Sequence, residues 1–169
     1  EDEILHMLER KTGALLGYAA AAGACIGRGR TYAECPEARR LDAFARACGI
    51  AFQLQDDILG LVGDERRLGK PVGSDLREGK ATVPLLHALR RADPGQRERL
   101  GKTVGNPSAL PEELAATTAL IRELGGIDHA RSLARTHLDT ARKHLDSLPA
   151  TPARAWIEAW ADFLSDRNF

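Results

Sequence analysis

Residues 52–60 read FQLQDDILG and lie within a longer, mostly apolar stretch, residues 41–62. If this stretch is helical at about 100° per residue, its apolar side chains cover almost the whole circumference, which is typical of a buried helix. The polar side chains Gln53, Asp56 and Asp57 fall within roughly a third of that circumference. An unpaired carboxylate is costly to bury, because its charge must be removed from water. The sequence therefore predicts a buried helix whose two adjacent aspartates are compensated by cations.

Magnesium is the cation that this set of ligands favours. No cluster of His or Cys accompanies the aspartates, and Mg²⁺ usually takes one or two carboxylates and completes its shell with water and phosphate oxygens. A substrate that carries phosphate is therefore expected. Lys70 and Lys80 each follow a glycine and are suited to meet such an anion as flexible point charges. Taken alone, an Asp-Asp pair on a helix is more often a solvated pair beside an ordinary loop.

The aspartate pair and the two lysines belong to a wider pattern. In four segments the chain resembles the trans-isoprenyl diphosphate synthases (polyprenyl synthetases), such as bacterial farnesyl and geranylgeranyl diphosphate synthases: residues 11–15, 52–64, 69–76 and 79–84. The resemblance corresponds to the C-terminal half of a typical member, since the first aspartate-rich motif has no counterpart. The family's usual pattern is Asp-Asp-x-x-Asp, whereas Gly60 stands at the last position here, as it does in some bacterial relatives.

The resemblance implies a fold, a reaction and a set of site residues. The fold is all-α, a helical bundle resembling the C-terminal half of the isoprenoid synthase fold, with residues 1–169 as a single all-α unit. The reaction is the Mg²⁺-dependent condensation of an allylic prenyl diphosphate with isopentenyl diphosphate. Lys11 would bind the departing diphosphate, Thr12 and nearby carbonyls would face the carbocation, and Gln53 would orient the diphosphate or the cation. The implied site residues are Asp56 and Asp57 for the metal, Lys11, Thr12 and Gln53 for catalysis, and Lys11, Phe52, Gln53, Lys70 and Lys80 for substrate binding.

Two other functions remain open at this stage. One is a non-catalytic partner subunit of a complete synthase, and the other is a terpene cyclase of related fold. The chain starts without Met inside an expected helix, so it is either a piece of a longer polypeptide or a subunit that needs a partner. A homodimer, or association with the missing N-terminal half, is expected. The length of the product cannot be inferred, because the residues that largely set it precede the first aspartate-rich motif.

Composition narrows the class of protein. A chain of 169 residues can bury a sizeable core, and its formal net charge of zero gives no sign of a nucleic-acid or anionic-membrane partner. No apolar run reaches the length of a membrane span, and the acidic N-terminus does not resemble a signal peptide. The three cysteines lack metal-type spacing and are interpreted as packing residues. These features favour a cytoplasmic protein without a stable membrane anchor.

Local signals predict the remaining helices. Residues 2–29 form a helix that three glycines weaken, with a kink or a close backbone approach near Lys11 and Thr12. Asp75 either caps a helix that runs through Leu89 or orients Lys70 or a metal-bound water. Residues 93–111 are turns around a short segment.

Trp156, Trp160 and Phe163 recur at helical spacing and are interpreted as packing residues. The histidines are interpreted as surface or core residues. The other predicted helices span residues 36–62, 112–124, 127–148 and 152–167.

Overall fold

The computed structural model describes residues 1–63 and 71–165, which form α-helices joined by short turns. No β-strand occurs in these residues, and the predicted all-α class is confirmed. A π-helical turn, Glu9–Gly13, joins α1 to α2 without a break, and no helix in the described ranges is long and apolar enough to cross a membrane. The helices are α1 Asp2–Leu8, α2 Ala14–Arg28, α3 Pro36–Val62, α4 Ser74–Arg77, α5 Val83–Arg91, α6 Pro94–Thr103, α7 Pro111–Glu123, α8 Gly126–Leu145 and α9 Pro152–Ser165.

Most helix limits follow signals that the sequence carries. α2 ends at Arg28 and is followed by Gly29, which adopts φ +61° and donates its N–H to the carbonyl of Ile26. This left-handed conformation costs glycine little, because glycine has no Cβ. α3 begins with Pro36 in its first turn and ends at Val62, as predicted. α7, α8 and α9 begin and end within one turn of their predicted limits.

The predicted helix from Asp75 through Leu89 is wrong. α4 ends after one turn, Gly79 adopts φ +68°, and a new helix starts after Thr82, which has an extended backbone. Pro84 lies in the first turn of α5, where its missing N–H breaks no helical hydrogen bond. The capping interpretation of Asp75 is also wrong, because the N-cap position of α4 is occupied by Gly73, which has no side chain to accept a capping hydrogen bond. The side chain of Asp75 instead contacts Lys80.

The short segment predicted between turns is a ten-residue helix, α6. Asp93 caps it through a reciprocal pair of hydrogen bonds: the Gln96 N–H donates to Asp93 Oδ1 over 2.8 Å, and the Asp93 N–H donates to Gln96 Oε1 over 3.0 Å. This capping box satisfies two backbone donors at the start of the helix. The turn residues on both sides were identified correctly, but the helix between them was not.

Contacts divide the described chain into two units. Of the described residues, the first unit comprises 2–53 and 133–165, and the second comprises 54–63 and 71–132 with Glu1. Each has its own buried apolar side chains, and the single all-α unit stays a prediction. Buried residues of the first unit include Leu8, Phe44, Cys48, Leu138 and Leu145; those of the second include Leu54, Ile58, Leu76, Val83, Leu100 and Ile121.

The aromatic side chains of α9 do not all pack as predicted. Trp160 lies against Phe44, with ring centroids 6.1 Å apart, but Trp156 is 78% exposed and Phe163 is 56% exposed. Trp156 and Phe163 are seven residues apart and therefore share one face of the helix. Ala161 and Leu164 provide the buried side. The packing interpretation is wrong for the two exposed rings, because helical spacing groups side chains without showing which group is covered.

Candidate functional site

The last turns of α3 carry both aspartates, and the two differ in burial. The Asp57 side chain is only 2% exposed, whereas Asp56 is half-buried. Asp57 belongs to the second unit, and its neighbours Leu54 and Ile58 on α3 are buried as well. A buried aspartate needs a nearby cation or hydrogen-bond donors, because its carboxylate is no longer hydrated and the loss of hydration is costly.

Lys80 supplies that cation. Its Nζ atom lies 3.0 Å from Asp57 Oδ1 and 3.3 Å from Asp75 Oδ2, and its side chain is 29% exposed. The turn at Gly79 brings Lys80 back to α4, so that the Lys80 N–H donates to the carbonyl of Asp75 over 2.9 Å. The second unit therefore contains a cluster of Asp57, Asp75 and Lys80, called here the aspartate-lysine cluster.

Within the aspartate-lysine cluster, Lys80 does not fully compensate the buried negative charge of Asp57. Desolvation raises the pKa of Asp57 above its ordinary value and outweighs the opposing effect of the Lys80 ammonium. Desolvation also tends to lower the pKa of Lys80, but the carboxylates of Asp57 and then Asp75 outweigh it and raise that pKa. Lys80 is therefore held in its charged form, while the charge on Asp57 remains unfavourable. A further cation near Asp57 would lower the pKa of that carboxyl.

Hydrogen bonds to backbone carbonyls hold the aspartate-lysine cluster in place. The Gly73 N–H donates to the carbonyl of Gly60 over 2.9 Å, which ties the start of α4 to the end of α3. At the other end of α4, the Gly105 N–H donates to the carbonyl of Leu76 over 2.8 Å. The Arg77 guanidinium donates to the carbonyl of Ala109 over 3.0 and 3.2 Å. The single turn of α4 is thus fixed on both sides, although so short a helix is not stable alone.

The oxygen ligands of this region fit Mg²⁺ better than zinc. Within residues 1–63 and 71–165, no group of three His, Cys, Asp or Glu side chains could hold a metal ion. Mg²⁺ does not need such a group, because one or two carboxylates with water and phosphate oxygens complete its shell. Asp57 also has a buried and incompletely compensated charge, which a divalent cation would neutralise. Asp56 and Asp57 are the carboxylates that would hold the ion.

The predicted Lys11 and Thr12 lie in the first unit, on the π-helical turn between α1 and α2. The Ala14 N–H donates to the carbonyl of Glu9, five residues back, so the turn holds one residue more than an α-helical turn. Lys11 is exposed and Thr12 is half-buried. The predicted kink or close approach is confirmed, because Gly13 meets the backbone of α3 at Arg46 and Gly49.

The other predicted site residues have different positions. Phe52 and Gln53 are half-buried on α3 and belong to the first unit. Lys70 lies outside the described residues. The structure brings Asp57 and Lys80 together in the second unit, and it adds Asp75. The sequence predicted Asp75 only as a cap or as a partner of Lys70 or a metal-bound water. The signal for Asp75 was its place five residues before Lys80, across a glycine able to reverse the chain.

Comparisons with known proteins agree with these motifs. The polyprenyl synthetase family model matches residues 1–121. A short chain isoprenyl diphosphate synthase from Methanothermobacter thermautotrophicus is 39% identical over 168 residues, covering 99% of this chain and 50% of that protein. The chain thus spans about half the length of the curated relatives it matches.

Solved structures are also similar to this chain in sequence and in fold. A polyprenyl synthase from Caulobacter crescentus CB15, complexed with calcium and isoprenyl diphosphate, is 34% identical, with a TM-score of 0.87 over 98% of this chain and 49% of its own. A geranylgeranyl pyrophosphate synthase from Corynebacterium glutamicum, complexed with isoprenyl diphosphate and magnesium, is 34% identical, with a TM-score of 0.74 over 82% of this chain and 39% of its own.

Proposed function

Because this chain belongs to the polyprenyl synthetase family, we propose that it carries one half of the site of a magnesium-dependent prenyltransferase. In the proposed reaction an allylic prenyl diphosphate loses its diphosphate, and the double bond of isopentenyl diphosphate attacks the resulting carbocation. A proton is then lost, and the product is a longer prenyl diphosphate. The other half of the site would come from the region of the relatives that this chain does not span.

The aspartate-lysine cluster, with Asp56 beside it, is the observation that carries the proposal. Diphosphate leaves readily only when its charge is neutralised, and cations placed where charge develops lower the barrier. Mg²⁺ would supply that neutralisation when bound to Asp56 and Asp57. The calcium or magnesium in the two related structures named above supports a divalent ion here.

Lys80 has two tasks in this proposal. An ammonium group has three N–H donors, and Asp57 and Asp75 take two of them. Because the side chain is 29% exposed, the third donor is available to a phosphate oxygen. Lys80 would therefore hold Asp57 in position and also bind the diphosphate, with part of its charge already compensated.

The remaining predicted residues are assigned by the family resemblance. Lys11 would bind the departing diphosphate, and Thr12 with its neighbouring carbonyls would face the carbocation. Phe52 and Gln53 would contact or orient the substrate, and Lys70 would add a cation. Assembly as a homodimer, or with a partner that supplies the first half, belongs to the same proposal and rests on the same resemblance. A cytoplasmic location is proposed from the composition of the chain.

Binding of magnesium diphosphate tests the metal ligands. In the complete protein, whether its first half lies on the same chain or on a partner, inorganic diphosphate with Mg²⁺ should stabilise the native state by about 2.7 kcal/mol at about 100 times the dissociation constant. Asp56→Ala should lose most of this stabilisation. Asp128→Ala is the control, because Asp128 is 76% exposed and pairs with Arg131 at the surface. Equal stabilisation of both variants would rule out Asp56 as a ligand.

Product analysis tests the reaction class. A prenyl diphosphate synthase forms a longer diphosphate only when isopentenyl diphosphate is present, whereas a cyclase releases a hydrocarbon or alcohol without it. The partner-subunit alternative remains because the chain spans half the length of its relatives. It would be favoured if Asp56→Ala in this chain left turnover by the assembled enzyme unchanged.

A further inference from the structure

The π-helical turn Glu9–Gly13 contacts α3 without any side chain between the two backbones. A Cβ atom built on Gly49 would lie 2.6 Å from Gly13 Cα, 2.8 Å from the Gly13 nitrogen and 3.3 Å from the Thr12 carbonyl carbon. A Cβ on Gly13 would in turn lie 3.0 Å from the Arg46 carbonyl oxygen. Carbon atoms in ordinary contact are about 3.5–4.0 Å apart, so a methyl group on Gly49 requires the two backbones to separate by about 1 Å, whereas one on Gly13 requires a smaller shift.

We propose that Gly49 is a positioning residue, whose missing side chain sets the place of Lys11 and Thr12 by letting their turn rest directly on α3. The inference rests on the proposed function, in which Lys11 binds the departing diphosphate and Thr12 faces the carbocation. The atoms nearest to a Cβ built on Gly49 are backbone atoms of the turn, at Thr12 and Gly13. The effect of Gly49 on the reaction would therefore pass through the residues of the turn.

A second contact holds the other end of the same turn. Arg46, one helical turn before Gly49 on α3, places Nη1 3.5 Å from Glu9 Oε1 and Nε 2.9 Å from Asp42 Oδ1. Glu9 is the first residue of the turn, and Gly13, which meets Gly49, is the last. The ion pairs are one-third exposed and contribute little stability by themselves. With the glycine contact they fix both ends of the turn on one face of α3.

Two glycines of α2, Gly17 and Gly23, can be compared with Gly49 of α3 as a matched series of glycine-to-alanine changes. A Cβ on Gly17 would collide with the side chains of Asp42 and Arg46 rather than with backbone, and would disturb the ion pairs of Arg46. A Cβ on Gly23 would meet no atom within 4 Å. Alanine at positions 23, 17 and 49 therefore adds the same methyl group against open space, against side chains and against rigid backbone. Only the last change must displace the turn that carries Lys11 and Thr12.

The test compares these three variants in the complete enzyme. A displacement of about 1 Å in a positioned group can reduce a rate about a hundredfold, so Gly49→Ala should lower kcat by about that factor. Its KM for isopentenyl diphosphate should change much less, because Lys11 and Thr12 are assigned to the allylic substrate. Gly23→Ala should behave like the wild type, and Gly17→Ala should cost no more than a few-fold. Thermal unfolding should show each variant folded at the assay temperature.

A double-mutant cycle with Lys11→Met separates positioning from general damage. If Gly49 acts through Lys11, then Gly49→Ala should cost far less in the Lys11→Met background than in the wild type. An equal loss in both backgrounds, or a Gly49→Ala variant as active as Gly23→Ala, would overturn the inference. If the wild type transferred no prenyl group, the proposed function would fail separately. The same cycle, run on the affinity for magnesium diphosphate, would still decide the role of Gly49.

Discussion

Replacing Lys80 by Met should leave two buried carboxylates without their shared cation. Asp57 is 2% exposed at its side chain and Asp75 is 11% exposed. Removing one partner of a buried ion pair costs about 3–5 kcal/mol, because the remaining charge is desolvated without compensation. Lys80 is itself 29% exposed, which favours the lower end of that range, about 3 kcal/mol. Met keeps most of the aliphatic stem, so the change is mainly one of charge.

Thermal and urea unfolding measure this loss. For a chain of 169 residues, about 3 kcal/mol corresponds to a midpoint lowered by about 6–12 °C. Lys102→Met is the control, because Lys102 pairs with Glu98 at the surface and both side chains are 70% exposed. Its free energy of unfolding should change by no more than about 0.5 kcal/mol. A second change, Asp57→Asn in the Lys80→Met background, should recover more than half of the loss.

The pH dependence gives the same prediction an independent check. The folded-state pKa of Asp57 is raised above its unfolded value of 3.8, so the folded state binds more protons between these two pKa values. Stability at this group therefore falls as pH rises through that interval, and the loss of Lys80 extends the interval upward. The deficit of Lys80→Met should grow as pH rises above about 3.8 and disappear below it, where Asp57 is protonated in both states. The reasoning would be refuted by a deficit equal to that of Lys102→Met, or by one independent of pH.

Two further predictions concern other positions. Gly60→Asp would place a carboxylate about 5–6 Å from Asp56, one helical turn away, at a buried position. It should lower the Mg²⁺ concentration needed for half-maximal activity of the complete enzyme and lower stability without Mg²⁺; an unchanged Mg²⁺ requirement would count against a metal at this end of α3. Burial lowers the pKa of His137 below 6.5, so the free energy of unfolding should fall as pH drops from 6.5 toward that lowered pKa. His137→Gln should flatten this part of the stability profile, and an unaltered profile would show that His137 does not cause it.

Much of the fold could be predicted because its signals are local. The apolar circumference of residues 41–62 predicted α3, and Pro36 and Gly29 marked helix limits that the structure confirms. The break between α4 and α5 could not be decided in this way. Asp75 and Glu78 have the spacing of a capping box, while Gly79 can either continue a helix or reverse the chain. Its φ of +68° accompanies contacts with Gly105, which lies far away in sequence.

The sequence predicted which residues form the candidate site better than it predicted their contacts and burial. Residue type and spacing identified Asp56, Asp57 and Lys80 as a charged group, and the structure places Asp57 and Lys80 in contact. The sequence could not show that Lys80 also binds Asp75, because that contact depends on the turn at Gly79. It also could not rank the two aspartates by burial. Adjacent positions on a helix look equivalent in sequence, but they point about 100° apart and here meet different surroundings.

The burial of Asp57 links the stability of the second unit to its proposed chemistry. Lys80 alone leaves the pKa of Asp57 raised, so the folded protein retains an unfavourable charge at this position. Replacing the aspartate by an apolar residue would remove that cost, because buried ion pairs are seldom more stable than well-packed apolar groups. A second cation would remove it too, by lowering the pKa of the carboxyl. The same carboxylate that weakens the empty fold would then strengthen the complex with Mg²⁺ and diphosphate, which is the expected signature of a residue placed for binding.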